Sequence, residues 1–237
     1  MAEQENGIER RYVPTVVEPI ELDERSAASP TIKGLSPPFN SKSEDLGGFR
    51  EVFAPTAFDK VVGRHRNDPR GGVDVVALFD HMGQPIGRTT NDTLKLSIVD
   101  RGLAYAISPP DTTLGRDIVT LVRRGDLFGA SFAFSVAQGG ESWTQEADGT
   151  AVRTVNEVSG LYDVSVVTRP AYPQSSAALR SLEAWRAENL SGHELEQLAQ
   201  QQADSAADKR RRWSYALTAA AARLISARLK VNAPRIK

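Results

Sequence analysis

Between Thr31 and Thr168 the hydrophobic residues of this chain come in short runs, and that spacing constrains the fold more than any other feature. Asp74–Phe79 (DVVALF) is nearly continuous in apolar residues, as a buried strand is. Thr93–Val99 and Leu103–Ser108 alternate like half-buried strands, with Asp100-Arg101-Gly102 as a hairpin turn. Leu127–Val136 (LFGASFAFSV), Val152–Val155 and Leu161–Thr168 read as further strands, as do Phe49–Phe53 and the Val- and Ile-rich Tyr12–Leu22. Thr31–Asn40 starts as a strand that Pro37-Pro38 should break. Gly83–Pro85 reads as a turn, and Gly139–Gly149 as a loop interrupted by Trp143.

Two helices are expected within this region. One is opened by Pro55 with Thr56 as N-cap. The other, Leu114–Arg124, carries Leu114, Ile118, Leu121 and Val122 on one face, with Thr113 to cap its start and Gly125 to stop it. The expected fold is therefore mainly β, an antiparallel domain with inserted helices (α+β). Beyond Ala177 the character changes. Ala177–Asn189 and His193–Asp208 are helical and polar, and Lys209–Lys237 contains no acidic residue. Three parts follow: an N-terminal, partly extended segment over 1–30, a core over 31–180, and a helical, basic tail over 181–237.

Composition narrows the chemistry. The chain of 237 residues is 40% hydrophobic and 25% charged, enough for a real core. A net charge of -1 gives no global case for nucleic acid or membrane. With no cysteine, thiolate catalysis, disulfides and Cys-based zinc sites are excluded. The polar N-terminus lacks the apolar region of a secretory signal, and the Ala216–Ile225 stretch is too short to span a bilayer. His65, His81 and His193 are the only histidines. A metal-dependent hydrolase is disfavoured by their scarcity and by the lack of a paired-His motif; no cofactor is expected.

A serine hydroxyl attacks a carbonyl only beside a base, and the base needs an acceptor on its far ring nitrogen. His81 follows a buried-type strand at the point where the backbone emerges. Ser131 lies in Gly129-Ala130-Ser131-Phe132, where small neighbours would let a substrate backbone approach. Asp163 lies in an apolar strand, where an unpaired carboxylate is costly. Each also has an ordinary structural reading: a hydrogen-bonded strand-end histidine, a small packing serine, and an aspartate paired with Arg123, Arg124 or Arg169. Spacing alone does not bring the three together. His65 and His193 read as solvated.

Five fragments in order carry a resemblance. They are Gly34–Asn40 with Phe49-Arg50-Glu51-Val52-Phe53-Ala54-Pro55-Thr56-Ala57-Phe58; Val75–His81 with Ile86-Gly87-Arg88-Thr89; Gly102-Leu103 with Arg124-Gly125-Asp126; Ser131-Phe132-Ala133-Phe134; and Asp163–Tyr172. Over Ile32–Arg180 the chain resembles the prohead (capsid maturation) serine proteases of HK97-type tailed phages, distantly similar to the herpesvirus assemblin proteases. The resemblance implies an antiparallel β-barrel of the assemblin type. It implies Ser131 as nucleophile, His81 as general base and Asp163 as orienting acid, with Glu157 the competing acid. Arg169 would lie near the oxyanion. Relatives often carry glutamate for Asp163 and aspartate for Met82, and Gly34-Leu35-Ser36-Pro37-Pro38 replaces a more regular strand.

The implied substrates are the scaffold, the N-terminal segment of the phage major capsid protein, and the protease itself, within the immature procapsid in the bacterial cytoplasm. A homodimer is implied as the active form. The basic C-terminal helix could dock on shell or scaffold, or bind nucleic acid nonspecifically; a solvated basic helix is the plain alternative. A non-catalytic internal scaffold with a degenerate protease domain is the competing function.

Overall fold

The computed structural model describes residues 8–13, 21–23, 30–62, 73–168, 176–201, 203–204, 207–208 and 210–211. Met1–Glu183 and Ala184–Lys237 form two compact units. In the first, the strands are β1 (Glu9–Val13), β2 (Glu21–Asp23), β3 (Thr31–Pro38), β4 (Phe49–Phe53), β5 (Val76–Phe79), β6 (Met82–Arg88), β7 (Leu94–Val99), β8 (Gly102–Ile107), β9 (Gly129–Val136), β10 (Glu141–Gln145), β11 (Ala151–Val155) and β12 (Val158–Val167). Helix α1 spans Thr113–Arg124, and α2 spans Ser176–Asn189. The second unit takes in the end of α2 from residue 184, and its residues 192–201 are helical.

The strands pair in the orders β1-β9-β12-β5-β6, β10-β11-β4 and β2-β3-β8-β7. The fold is thus α+β and mostly strand, but the described strands form three sheets and not one closed barrel. The ladder breaks between β6 and β7. There Thr89–Asn91 forms a 3-10 turn and Asp92 takes a left-handed conformation at φ 56, bending the chain out of the first sheet before β7 starts the third. Pairing is also mixed, because β4 runs parallel to β11 and β5 parallel to β12.

Several local expectations are corrected. The turn after β5 is Asp80-His81; Gly83–Pro85 lies inside β6. Gly139–Gly149 contains β10, which pairs with β11. β3 runs on through Pro37 and Pro38, with a cis Ser36-Pro37 peptide and a register shift between Leu35 and Pro38. The cap of α1 is Thr112, whose side chain accepts from the Gly115 N–H, not Thr113. Gly125 ends α1 at φ 79, a left-handed conformation that glycine adopts without a Cβ clash.

Alternation explains the core. On β9, Ala130, Phe132 and Phe134 face inward, and on β12 Leu161, Val164 and Val166 do so. Phe53 and Phe58 meet Phe132 and Phe134 with ring centroids 5.3–6.1 Å apart. Burying each such ring contributes on the order of 1.5–3 kcal/mol.

One edge of this core is ionic. Glu9, Arg11, Glu51 and Arg153 are all 6% exposed or less. Arg11 donates to Glu51 at 2.6 Å and to Glu9 at 2.5 Å. Arg153 donates to Glu9 at 2.7 and 2.8 Å, to Glu51 at 2.9 Å and to Glu141 at 2.7 Å. These contacts tie β1 to β4, β10 and β11, so residues 9–13 are integral to the packed unit. Burial pushes the Glu9 carboxyl up, but the hydrogen bonds and charges of Arg153 and Arg11 outweigh it and hold the group below its ordinary value of 4.5.

Arg153→Leu removes one of the two cations that Glu9 and Glu51 share and leaves Arg11 alone against both carboxylates; it is expected to cost about 3–5 kcal/mol in urea unfolding at neutral pH. Because the folded Glu9 is depressed, its contribution is present above pH 4.5 and lost as pH falls through the folded value. Arg153→Leu should therefore also flatten the loss of stability below pH 4.5; an unchanged acid dependence would contradict this assignment.

Candidate active site

Ser131 lies on the face of β9 opposite its core side chains, between Phe132 and Ala130. β12 runs antiparallel beside it, with Ser165 directly across from Ser131 and Asp163 across from Ala133. A register shift separates Leu161 from Asp163. Without that bulge Asp163 would share the inward face of Leu161, two residues earlier. The extra residue switches the phase, so Leu161 packs in the core and Asp163 stands on the Ser131 face.

His81 arrives from the other side of β12. β5 and β6 join through two residues, Asp80 and His81, with Phe79 paired to Met82. Both turn residues are left-handed, at φ 49 and φ 58. Two successive positive φ values match the right-handed twist of a hairpin. Neither residue is glycine, but aspartate and histidine are among the types that tolerate this region best. The turn is anchored: the Asp80 N–H donates to the Val166 carbonyl at 3.0 Å, and the Asp80 carboxylate accepts the Thr168 N–H at 2.8 Å and its hydroxyl at 3.1 Å.

The three side chains meet in a line. His81 Nε2 lies 2.6 Å from Ser131 Oγ, and Nδ1 lies 2.7 Å from Asp163 Oδ1. Ser131 is 4% exposed, the imidazole 12% and the Asp163 side chain 10%, so the line is largely shielded along its length. Glu157 is elsewhere: it pairs with Lys60 at 2.6 Å on the surface. His193 is exposed, and its Nε2 lies 3.4 Å from Gln197 Nε2. His65 and Arg169 lie outside the described residues. Among the described residues, no group of three or more His, Asp or Glu side chains is arranged to hold a metal ion. No helix among them is long and apolar enough to cross a membrane.

Two features were not read from sequence. Ser165, fully buried, donates its hydroxyl to Asp163 Oδ1 at 2.7 Å. Asp80 holds the turn. Its signal was present, since Asp-His between a strand and Met82 allows a two-residue hairpin, but Gly83 and Pro85 gave the stronger turn cue.

A hydroxyl, an imidazole and a carboxylate in hydrogen-bonded series make a serine-hydrolase arrangement: the ring can take the hydroxyl proton while the carboxylate holds its far N–H. A family model described as caudovirus prohead serine protease matches residues 18–188. The chain belongs to that family and is a serine protease. Among solved structures, the bacteriophage T4 capsid assembly protease gp21 is similar at 14% identity and a TM-score of 0.38, over 68% of this chain and 95% of that one. No curated protein matches the chain in sequence.

Asp80→Ala removes the anchor of the turn and places alanine at a left-handed φ. It is expected to cost about 1–3 kcal/mol and to speed amide hydrogen exchange at Thr168. A Thr168 amide as protected as in the wild type would show that Asp80 does not hold this hairpin.

Proposed function

We propose that the protein is the capsid-maturation endopeptidase of a tailed phage, with Ser131 as nucleophile, His81 as general base and Asp163 as the acid that orients it. The observation that carries the assignment of roles is the unbroken series Ser131 Oγ–His81 Nε2 at 2.6 Å and His81 Nδ1–Asp163 Oδ1 at 2.7 Å. In this reading His81 takes the Ser131 proton as Oγ attacks a scissile carbonyl, then delivers it to the leaving amine. Asp163 fixes the tautomer that leaves Nε2 free to accept, and it balances the imidazolium. Aspartate, one methylene shorter than glutamate, lies within hydrogen-bond distance of the ring at 2.7 Å.

Family membership supports the substrate class: the phage major capsid protein with its N-terminal segment, the scaffold, and the protease itself. The reaction would take place inside the immature procapsid in the bacterial cytoplasm, with a homodimer as the active form. Residues 31–180 would be the protease domain, and the basic segment beyond 181 a docking appendage that self-cleavage shortens.

Co-expression with the cognate capsid protein tests the roles. Wild type should cut it; Ser131→Ala and His81→Ala should leave it whole. Asp163→Asn should slow cleavage by about 10⁴-fold, and Glu157→Gln should cut like the wild type. Uncut capsid protein beside wild type and Ser131→Ala alike would favour the internal-scaffold function. Intact-mass measurement of wild type against Ser131→Ala should show a shorter C-terminus only in the active protein; identical C-termini would remove the self-processing claim.

A further inference from the structure

We propose that Ser165 is a positioning residue of this site: its hydroxyl locks the Asp163 carboxylate in the orientation that holds the His81 ring. The inference rests on the triad assigned above and adds a fourth group to it.

The geometry is specific. Ser165 Oγ lies 2.7 Å from Asp163 Oδ1 and 3.2 Å from His81 Nδ1. Oδ1 is the same oxygen that faces Nδ1, at 2.7 Å. A carboxylate on a strand can swing about its side-chain torsions, and its two oxygens compete for one imidazole N–H. A second donor on Oδ1 removes that freedom. The hydroxyl carries one proton, given to Asp163, so its oxygen presents lone pairs toward Nδ1 and can share the ring N–H. Both contacts require Nδ1 to carry the proton, which leaves Nε2 unprotonated to face Ser131.

Position makes the hydroxyl costly unless it is used. Ser165 is 0% exposed, in a strand whose neighbours Val164, Val166 and Val167 are equally buried. A small apolar residue would satisfy packing there, whereas a buried hydroxyl needs a partner. Alternation puts Ser165 two residues from Asp163 on the same face, and register puts it directly opposite Ser131. The side chain therefore meets the series where Asp163 and His81 Nδ1 join.

The test is Ser165→Ala, read with a fluorophosphonate probe that labels the nucleophile and needs no natural substrate. A charge-assisted hydrogen bond of this kind predicts about a 10- to 100-fold fall in the maximal labelling rate, with the probe's half-saturation concentration unchanged. The downfield imidazole N–H proton resonance should shift, and in an Asp163→Asn background Ser165→Ala should cost little more. If the alanine variant does not fold, Ser165→Cys, with its weak donor, should show the same fall. A wild-type labelling rate in whichever variant folds, or a loss confined to half-saturation, overturns the proposal while Ser131→Ala remains unlabelled. Labelling that persists in Ser131→Ala overturns the triad assignment itself, and this inference with it.

Discussion

The antiparallel pairing of β9 with β12 is the contact on which the site depends. One face of this pair carries Phe132, Phe134, Val164 and Val166 into the core; the other carries Ser131, Asp163 and Ser165. Because side chains alternate strictly, the hydrophobic face fixes the register that sets Ser131 across from Ser165. A one-residue slip would turn the phenylalanines outward and the serine inward, at the cost of several buried rings. Packing energy on one side of the sheet is thereby converted into positional precision on the other. The pattern is broken between Val158 and Gly160 and again between Leu161 and Asp163, and the second break favours the carboxylate.

The periodic features of this architecture were legible in the sequence, and the non-local ones were not. The β9 run, the β7–β8 hairpin and α1 with its Gly125 stop follow from local alternation, turn chemistry and capping. Ser131, His81 and Asp163 could be named from ordered motifs, but their meeting depends on β5 lying parallel to β12, a pairing between segments more than 80 residues apart that no local signal encodes. The phase switch before Asp163 was hidden for the same reason: a bulge is defined by its partner strand. Nothing local marked Ser165, because the ring it approaches, that of His81, is supplied by a distant hairpin.

The buried ions at the edge of the core show a related limit. Glu9, Arg11, Glu51 and Arg153 fall on polar stretches or single polar positions within strands, and hydropathy assigns each to the surface. They are buried because three elements contribute complementary charges to one place. Such a network is weak as a source of net stability, since desolvation offsets much of the attraction. Its effect is selective: it penalises any arrangement in which β1 fails to reach β4 and β11. β1 in turn lies along β9, with Tyr12 opposite Ser131. The ionic contacts thus help to cover what would otherwise be a free edge of β9, the strand of Ser131.

His81 is held by a different device. His81 sits in a turn where both residues are left-handed, a conformation that disfavours most side chains and persists only where its surroundings fix it. The surroundings here are the last residues of β12, reached through the Asp80 carboxylate and amide. The strand that carries Asp163 and Ser165 therefore also clamps the hairpin that carries His81. Asp163, Ser165 and the anchor of the His81 turn are thus all fixed to the same stretch of chain. Ser131 is joined to the same strand through the β9 ladder. All the groups of the proposed reaction are referred to one backbone segment, and that common reference is the physical reason a site assembled from two strands and a turn can keep hydrogen-bond distances at both ends of the imidazole.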